Sequence, residues 1–332
     1  MKRIRVRKSI LLAFACTISV MTTSLAKAEE IVVAQYGSAS GGYPYAIAMA
    51  KGWFKEEGAN VTGIISSQGG GTTIRNVLAA NVPYGEVGPG GVIVANHQGA
   101  NLIIVSDNVL SVSDLNWVAR KDSPINSHAD IKGKKIGYTN PRSVTQALAL
   151  LMLDSLKLTE KDVELVTTGG FGEGLAAVDA GLVDVAPMGE PLWSKLKDKY
   201  KLVIKGNDVL PQLDNVVGVT TVEAAKTKGD FIRGVIKARA RGVEFMYSNP
   251  DEAGDIVAKA YNITPELARE TIRNLIAINS NGLNYFGTGQ IHLDGMRRAV
   301  EVQKRIGAIS GDIDLEKIID TRFLPKDQQA IK

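Results

Sequence analysis

A run of three glycines followed by two threonines is the clearest binding feature of the sequence. The run, Gln68-Gly69-Gly70-Gly71-Thr72-Thr73, lies between a predicted strand over 60–66 and a predicted helix over 72–80. Glycine lets the backbone turn sharply and approach a ligand closely. A helix that begins there presents unpaired N–H groups and the positive end of its dipole, which favours an anion or a polar head group. The alternative is a tight turn in which the threonines only cap the helix.

Several other kinds of chemistry are excluded by residue type and spacing. No Gly-Lys-Ser/Thr follows the glycine run, so it is not a nucleotide-binding P-loop. His97, His128 and His292 are far apart and form no metal-binding pattern. No Ser–His–Asp arrangement is predicted at the strand ends. We therefore predict no metal, no cofactor and no catalytic residue.

The first 28 residues have the pattern of a secretory signal peptide. Five basic residues within the first eight precede an apolar run over 10–21, and Ala26-Lys27-Ala28 is a small-x-small cleavage site. We predict cleavage after Ala28 and a periplasmic protein. The alternative is an N-terminal membrane anchor, for which the apolar run is short.

The signal segment changes the charge balance and the cysteine content of the remaining chain. It holds six of the 39 Lys and Arg residues and no acid, so 33 basic and 35 acidic residues remain and the net charge is −2. A basic nucleic-acid-binding surface is therefore not indicated. Cys16, the sole cysteine, also lies in this segment; it could be a lipidation site, although the residues before it fit that poorly. Disulfides and thiol catalysis are excluded for residues 29–332.

Beyond residue 28 the pattern alternates between strands and helices. The order predicts an α/β fold with a mainly parallel, doubly wound sheet. A helix is expected over 44–57, and a strand over 215–220 looks like a return crossing. After residue 221 the chain is expected to be almost wholly helical, with helices over 230–248, 250–261, 265–278 and 290–306.

Several segments together resemble the periplasmic solute-binding proteins of ABC importers. The similar segments are AIAMAKGWFKEEG (46–58), NWVARKDSPINSHADIKGKKIG (116–137) and AVDAGLVDVAPMGEP (177–191), with Asp320-Thr321-Arg322-Phe323-Leu324 near the end. The group concerned includes aliphatic-sulfonate, taurine and nitrate binders, and fungal thiamine-pyrimidine synthases share its fold. The likeness extends over nearly all of residues 29–332.

The resemblance implies two α/β lobes joined by two hinge crossings, with the ligand between them. Lobe one would comprise residues 29–117 and 220–332, and lobe two residues 118–219. In such folds ligands lie outside the carboxyl ends of the strands, at helix N-termini, and closure is a hinge motion.

Applied residue by residue, this geometry predicts a ligand site in the turns that follow the strands. The Arg142 guanidinium is suited to a carboxylate or sulfonate, unless it is only a surface charge. Glu190 would accept from an N–H or O–H group, unless it only starts a helix, and Ser143 is also a helix cap. Tyr36, Tyr43 and Tyr45 could stack on an aromatic ligand, or belong to the core. The predicted ligand-binding residues are Gln35, Tyr36, Ser38, Gln68, Gly70, Gly71, Thr72, Thr73, Gly90, Asn140, Arg142, Ser143 and Glu190.

The functional expectation is capture of a small, anionic organic solute and its delivery to an inner-membrane ABC permease and its ATPase, by a monomer. Two alternatives stay open: an enzyme on the same fold that acts on a pyrimidine or related heterocycle, and a solute-binding partner of a membrane sensor. The glycine turn and Arg142 favour a sulfonate, a carboxylate or a similar anion. The tyrosines leave an aromatic acid or a heterocycle open, and fold-level analogy does not choose between them.

Overall fold

The computed structural model describes residues 29–67, 70–79, 82–139, 143–280 and 282–332. The strands are β1 (Glu29–Ala34), β2 (Val61–Ser67), β3 (Gly85–Val87), β4 (Leu102–Val109), β5 (Asn116–Arg120), β6 (Lys135–Tyr138), β7 (Glu164–Thr167), β8 (Ala186–Met188), β9 (Tyr200–Lys205), β10 (Val216–Thr221), β11 (Asn279–Ser280), β12 (Leu283–Asn284) and β13 (Phe286–Gly289). The helices are α1 (Tyr43–Lys51), α2 (Trp53–Glu56), α3 (Gly70–Leu78), α4 (Pro89–His97), α5 (Val144–Ser155), α6 (Phe171–Asp179), α7 (Leu192–Leu196), α8 (Gly206–Val209), α9 (Val222–Thr227), α10 (Gly229–Ser248), α11 (Pro250–Tyr261), α12 (Pro265–Ile276) and α13 (Leu293–Arg305). This confirms the predicted α/β class.

The main sheet has the strand order β13-β4-β10-β3-β1-β2. β1 pairs in parallel with β2 and β3, as predicted. Ile31, Val32 and Val33 in β1 are all buried, because helices cover both faces of a parallel sheet. The sheet is less parallel than the sequence pattern suggests, since β10 returns antiparallel between β3 and β4.

A second set of strands lies between β4 and β10 along the chain. β5 is central in an antiparallel sheet of order β8-β5-β9, and β6 pairs in parallel with β7. The chain leaves the main sheet at the end of β4 and returns at the start of β10, where Val109 and Val216 are paired. The proposed lobe boundaries stay a prediction, but both connecting segments lie close to where crossings are expected.

Two local predictions need correction. The helix expected over 44–57 is divided into α1 and α2, because Gly52 adopts a left-handed conformation (φ 74°) that ends α1. The segment after residue 221 is not wholly helical, since β13 joins the main sheet beside β4. β13 is four residues long and contains Gly287 and Gly289, so it has no apolar alternation that would signal a strand. A side chain at Gly287 would place Cβ only 2.6 Å from the carbonyl oxygen of Asp107.

The helices after β10 form a layer beside the main sheet. Buried Val243, Met246 and Val257 from α10 and α11 pack with Ile272 and Leu275 from α12 in one apolar cluster. In the part of the chain that the structure describes, no helix combines the length and the apolar character needed to cross a membrane. Residues 1–28, with the predicted signal peptide, lie outside the described residues.

Candidate functional site

A cleft of about 1450 Å³ lies between the main sheet and the second set of strands. Its wall is formed by the turn after β1, the first residues of α3, α4 and α6, the start of α5 and the segment that joins β8 to α7. These are the strand ends and helix N-termini where α/β folds place their ligands. The volume exceeds the roughly 300–1,000 Å³ of common small-molecule pockets, so the cleft has room for an organic solute.

Seven of the predicted ligand-binding residues line this cleft: Gln35, Ser38, Gly70, Gly71, Gly90, Ser143 and Glu190. Gly90 shows why glycine is needed in the wall, since a Cβ there would lie 2.5 Å from Nε2 of Gln303. Ser143 also caps α5, because its hydroxyl accepts from the N–H of Gln146 at 3.2 Å. The ligand-binding role of these residues stays a prediction.

Other predicted residues are placed elsewhere. Thr73 is fully buried, and its hydroxyl lies 2.5 Å from that of Ser67. Thr72 accepts a hydrogen bond of 3.1 Å from Arg75, and the Tyr36 ring packs edge-on against Tyr261, 5.4 Å between centroids. None of the three is part of the cleft lining. Gln68, Asn140 and Arg142 lie outside the described residues.

Tyr43 and Tyr45, which could stack on a ligand according to the sequence, are instead packed in the core. Tyr43 is buried against Tyr261, with ring centroids 4.8 Å apart. The Tyr45 hydroxyl lies 2.9 Å from that of Tyr84 in a buried network. The aromatic side chains that line the cleft are instead Phe171, Tyr261 and Tyr285.

A buried ion pair between Glu86 and Arg239 lies at the edge of the cleft. Glu86, in β3, accepts hydrogen bonds from Nδ2 of Asn108 at 2.7 Å and from Nε of Arg239 at 3.2 Å. Arg239 also donates to the carbonyl oxygens of Gly287 and Asn108, at 2.6 and 2.7 Å. Glu86 and Arg239 are each about 1% exposed. This network holds β3, β4, β13 and α10 together and fixes the Glu86 carboxylate at the edge of the cleft.

Asp114 is a cleft residue that the sequence analysis missed. It lies in the segment that leaves the main sheet, next to the Tyr285 side chain and opposite Gly189. Burial raises the pKa of Asp114 to about 6; hydrogen bonding from Tyr285 opposes the rise and the Glu190 carboxylate adds to it. A carboxyl group with a pKa near 6 changes charge around pH 6, so the charge of the cleft depends on pH within the range of ordinary assays.

Glu190 is held by three donors at the point where β8 leads into α7. Its Oε2 accepts from the backbone N–H of Ser194 at 3.1 Å, and its Oε1 accepts from the Ser194 hydroxyl at 2.9 Å. Oε1 also accepts from Nδ2 of Asn274 at 2.8 Å. Burial raises the pKa of Glu190, and the hydrogen bond from Asn274 opposes that rise. Glu190 therefore accepts a hydrogen bond from the first turn of α7 and also lines the cleft, so the two predicted positions are compatible.

A second group of buried acids lies where the chain returns to the main sheet. Asp107 in β4 and Asp214 before β10 are 0% and 2% exposed. Nδ1 of His292 is 3.6 Å from Oδ2 of Asp107. Within the described residues, neither oxygen of Asp214 nor Oδ1 of Asp107 has a hydrogen-bond partner. Burial raises the pKa of both carboxyl groups well above the usual range, and the Asp107 charge raises that of Asp214 further.

The lining of the cleft is mainly apolar and carries few charged side chains. Most of the lining side chains are glycine or aliphatic, and the described charged ones are Glu86, Asp114, Glu190, Arg75 and Lys195. The described lining contains no histidine or cysteine, and no group of three His, Cys, Asp or Glu side chains among the described residues could hold a metal ion.

Comparison with known proteins identifies the family. Residues 42–253, more than half of the chain, match the family described as NMT1/THI5 like, and the chain belongs to that family. It is 25% identical over 301 residues to the riboflavin-binding protein RibY of Chloroflexus aurantiacus, over 85% of this chain and 82% of RibY.

Two solved structures show how the fold is used elsewhere. The periplasmic aliphatic sulphonate binding protein SsuA of Escherichia coli superposes with a TM-score of 0.74 at 15% identity, over 89% of this chain and 92% of SsuA. The desulfurization enzyme DszB superposes with a TM-score of 0.60 at 13% identity, over 89% of this chain and 97% of DszB. The predicted periplasmic-binding-protein fold is confirmed by the superposition on SsuA, and the family is shown by the NMT1/THI5-like match.

Proposed function

We propose that this member of the NMT1/THI5-like family is the periplasmic solute-binding component of an ABC importer. The observation that carries the proposal is the cleft itself, which is large, lined mainly by small and apolar side chains, and placed at strand ends of both sets of strands. The fold shared with SsuA supports the same role. The protein would be exported by residues 1–28, bind solute as a monomer and deliver it to a membrane permease with its ATPase.

The ligand we propose is an organic solute with a planar or apolar body and polar ends. Glycine and aliphatic walls, with Phe171, Tyr261 and Tyr285, suit such a body. The N-termini of α3, α4, α5 and α6 favour an acceptor or anionic group at one wall, while Asp114 and Glu190 favour a group that donates N–H or O–H. A flavin, suggested by the name of RibY, and an organic anion such as a sulfonate both remain within this class.

A thermal-shift screen of residues 29–332 tests the proposal. The panel contains riboflavin, alkanesulfonates, aromatic and aliphatic carboxylates, nitrate and pyrimidines. A bound ligand at 100 times its dissociation constant stabilises the protein by about 2.7 kcal/mol, a rise in Tm of a few degrees. We expect at least one organic solute to produce this rise, with 1:1 binding by calorimetry and no product formed from it.

A matched pair of variants locates the binding. Gly71 and Gly172 are both exposed, and each is the second residue of a nine-residue helix, but only Gly71 lines the cleft. Gly71→Trp should reduce the thermal shift because the indole occupies the part of the cleft next to the N-terminus of α3, and Gly172→Trp should leave the shift unchanged. A full shift in Gly71→Trp would place binding elsewhere, and a panel without any shift would contradict the solute-binding role.

An enzyme on this fold is the second candidate, because DszB shares the architecture. The described lining offers carboxylates but no histidine or cysteine, so nucleophilic catalysis of the kind that pairs a nucleophile with histidine has no support here. Chromatography of the bound solute after prolonged incubation distinguishes the two candidates. An unchanged solute supports the importer role, and conversion to a product supports an enzyme.

A further inference from the structure

The Glu190 carboxylate is held by residues from both sides of the cleft. Glu190 and Ser194 belong to the segment between β8 and the middle of α7, on the side of the second set of strands. Asn274 belongs to α12, which packs with α10 and α11 beside the main sheet. Nδ2 of Asn274 lies 2.8 Å from Oε1 of Glu190 and 3.0 Å from the Ser194 hydroxyl. The three side chains therefore form a closed ring of hydrogen bonds across the cleft.

A second contact lies one helical turn away on the same face of α12. Glu270, four residues before Asn274, forms an ion pair with Lys197, just after α7. On another side of the cleft, Arg305 of α13 forms an ion pair with Asp154 of α5. All four of these charged side chains are substantially exposed, so each pair contributes at most about 1 kcal/mol. The ring at Glu190 involves a partly buried carboxylate and is the stronger link, because hydrogen bonds to charged groups are stronger than neutral ones.

We propose that Glu190, Ser194 and Asn274 form a latch that keeps the cleft closed even without solute, and that Asn274 is a positioning residue for Glu190. Glu190 lines the cleft, so a group that binds solute also carries the link between the two sides. Opening the cleft removes the Asn274 donor from the carboxylate, and closing it restores the donor. Asn274 itself is not part of the described cleft lining, so its effect on binding is indirect.

This inference rests on the proposed solute-binding role, but its test uses no ligand. Residues 29–332 contain no cysteine, so Glu266→Cys and Lys161→Cys provide two exposed labelling sites, one on each side of the ring. A nitroxide spin label is attached to each cysteine. Double electron–electron resonance then gives the distribution of distances between the two labels. If no solute shifts the Tm but the short distance is observed, only the binding role is overturned. If a solute shifts the Tm but the short distance is absent, only the latch is overturned.

We expect a short-distance population in the ligand-free protein, and Asn274→Ala should lower the ratio of short to long distances about fivefold or more. Asn274→Asp should remove the short population at pH 8, because two carboxylates then face each other, and restore part of it at pH 5, where one of them is protonated. A merely structural role for Asn274 would not produce this dependence on pH.

Two neighbouring lysines provide the matched control. Lys197 pairs with Glu270 across the cleft, whereas Lys199 pairs with Asp179 on its own side. Lys197→Met should lower the ratio slightly, and Lys199→Met should not change it. The proposal is overturned if the ligand-free protein shows no short-distance population, if Asn274→Ala leaves the distribution unchanged, or if the distances in Asn274→Asp do not depend on pH.

Discussion

Two groups of buried acids in and beside the main sheet differ in the charges that surround their carboxyl groups: Glu86 in β3, and Asp107 in β4 with Asp214 just before β10. Glu86 faces the Arg239 guanidinium and the Asn108 amide, both within hydrogen-bond distance. Asp107 and Asp214 are as deeply buried, but the nearest basic group, His292, lies 3.6 Å from one oxygen of Asp107. In the first group the Arg239 guanidinium compensates the Glu86 charge, while in the second group burial raises the pKa of both carboxyl groups and favours their protonated form.

The difference shows that burial alone does not determine how an acid behaves in this protein. Burial raises the pKa of Glu86, but the Arg239 charge and several hydrogen bonds oppose the rise. For the pKa of Asp214 burial is the largest cause and the Asp107 carboxylate acts in the same direction, while His292 and Arg298 oppose it. The Glu86 region should therefore be sensitive to loss of its cation, and the Asp107–Asp214 region should be sensitive to pH.

The largest effect is expected for Arg239→Met. The variant leaves the Glu86 carboxylate buried without its cation and removes the Arg239 hydrogen bonds to two backbone carbonyls, which should lower the free energy of unfolding by about 3–5 kcal/mol. Urea denaturation of the variant and the parent measures the difference. The double variant Glu86→Gln/Arg239→Met should recover part of the loss, because no buried charge remains. If the double variant is no more stable than the single one, the charge is not the cause.

The next largest effect is expected for Asp214→Asn, which should remove part of the pH dependence of the free energy of unfolding. In the unfolded chain aspartate has a pKa of about 3.9, and in the folded protein the pKa of Asp214 is raised well above that value. The unfolded state therefore releases this proton first, and the parent protein loses stability as pH rises from about 4 through the folded pKa. The loss is about 1.4 kcal/mol for each pH unit that separates the unfolded from the folded pKa. Tm measured at pH 4.5 and pH 8 should favour the variant more at pH 8.

His292 contributes to the same profile with the opposite sign. Burial lowers its pKa, so the stability that the neutral ring supports is lost as pH falls through its ordinary value of about 6.5. Asp107 also faces Arg239, and the nearby charges of Arg298 and Lys332 are present in both proteins. An equal Tm difference at pH 4.5 and pH 8 would contradict a raised pKa for Asp214 in the folded protein.

A smaller effect is expected for Gly295→Ala in α13. A Cβ at this position would lie 2.0 Å from Oδ1 of Asp214, so the buried carboxyl group must move, at a cost of about 1–3 kcal/mol. The matched substitution Gly172→Ala in α6 meets no atom within 4 Å and should be neutral or slightly stabilising. Chemical denaturation of both variants gives the comparison. A Gly295→Ala variant as stable as the parent would show that the Asp107–Asp214 region is loosely packed.

The sequence predicts the fold well wherever capping signals and apolar periodicity agree. α11 matches its predicted bounds, because Pro250 starts the helix and Asn262 ends it in a left-handed conformation. Glu190 is located correctly at a strand-to-helix turn, since local pattern determines such turns. Asp114 and Tyr285 lie in segments without a pattern of their own, and only the folded chain brings them together. β13 was missed because its partner, β4, is far away in sequence and supplies its hydrogen bonds.

The pairing of Val109 with Val216 has a consequence for how such proteins diversify. The chain enters and leaves the second set of strands through two adjacent positions in one ladder, so everything between them is a single insertion into a continuous sheet. An insertion with neighbouring ends can be exchanged for that of a relative without rerouting the remaining chain. Recombination at these two positions would change about a third of the residues that line the cleft, including Ser143 and Glu190. It would retain the buried Glu86–Arg239 ion pair.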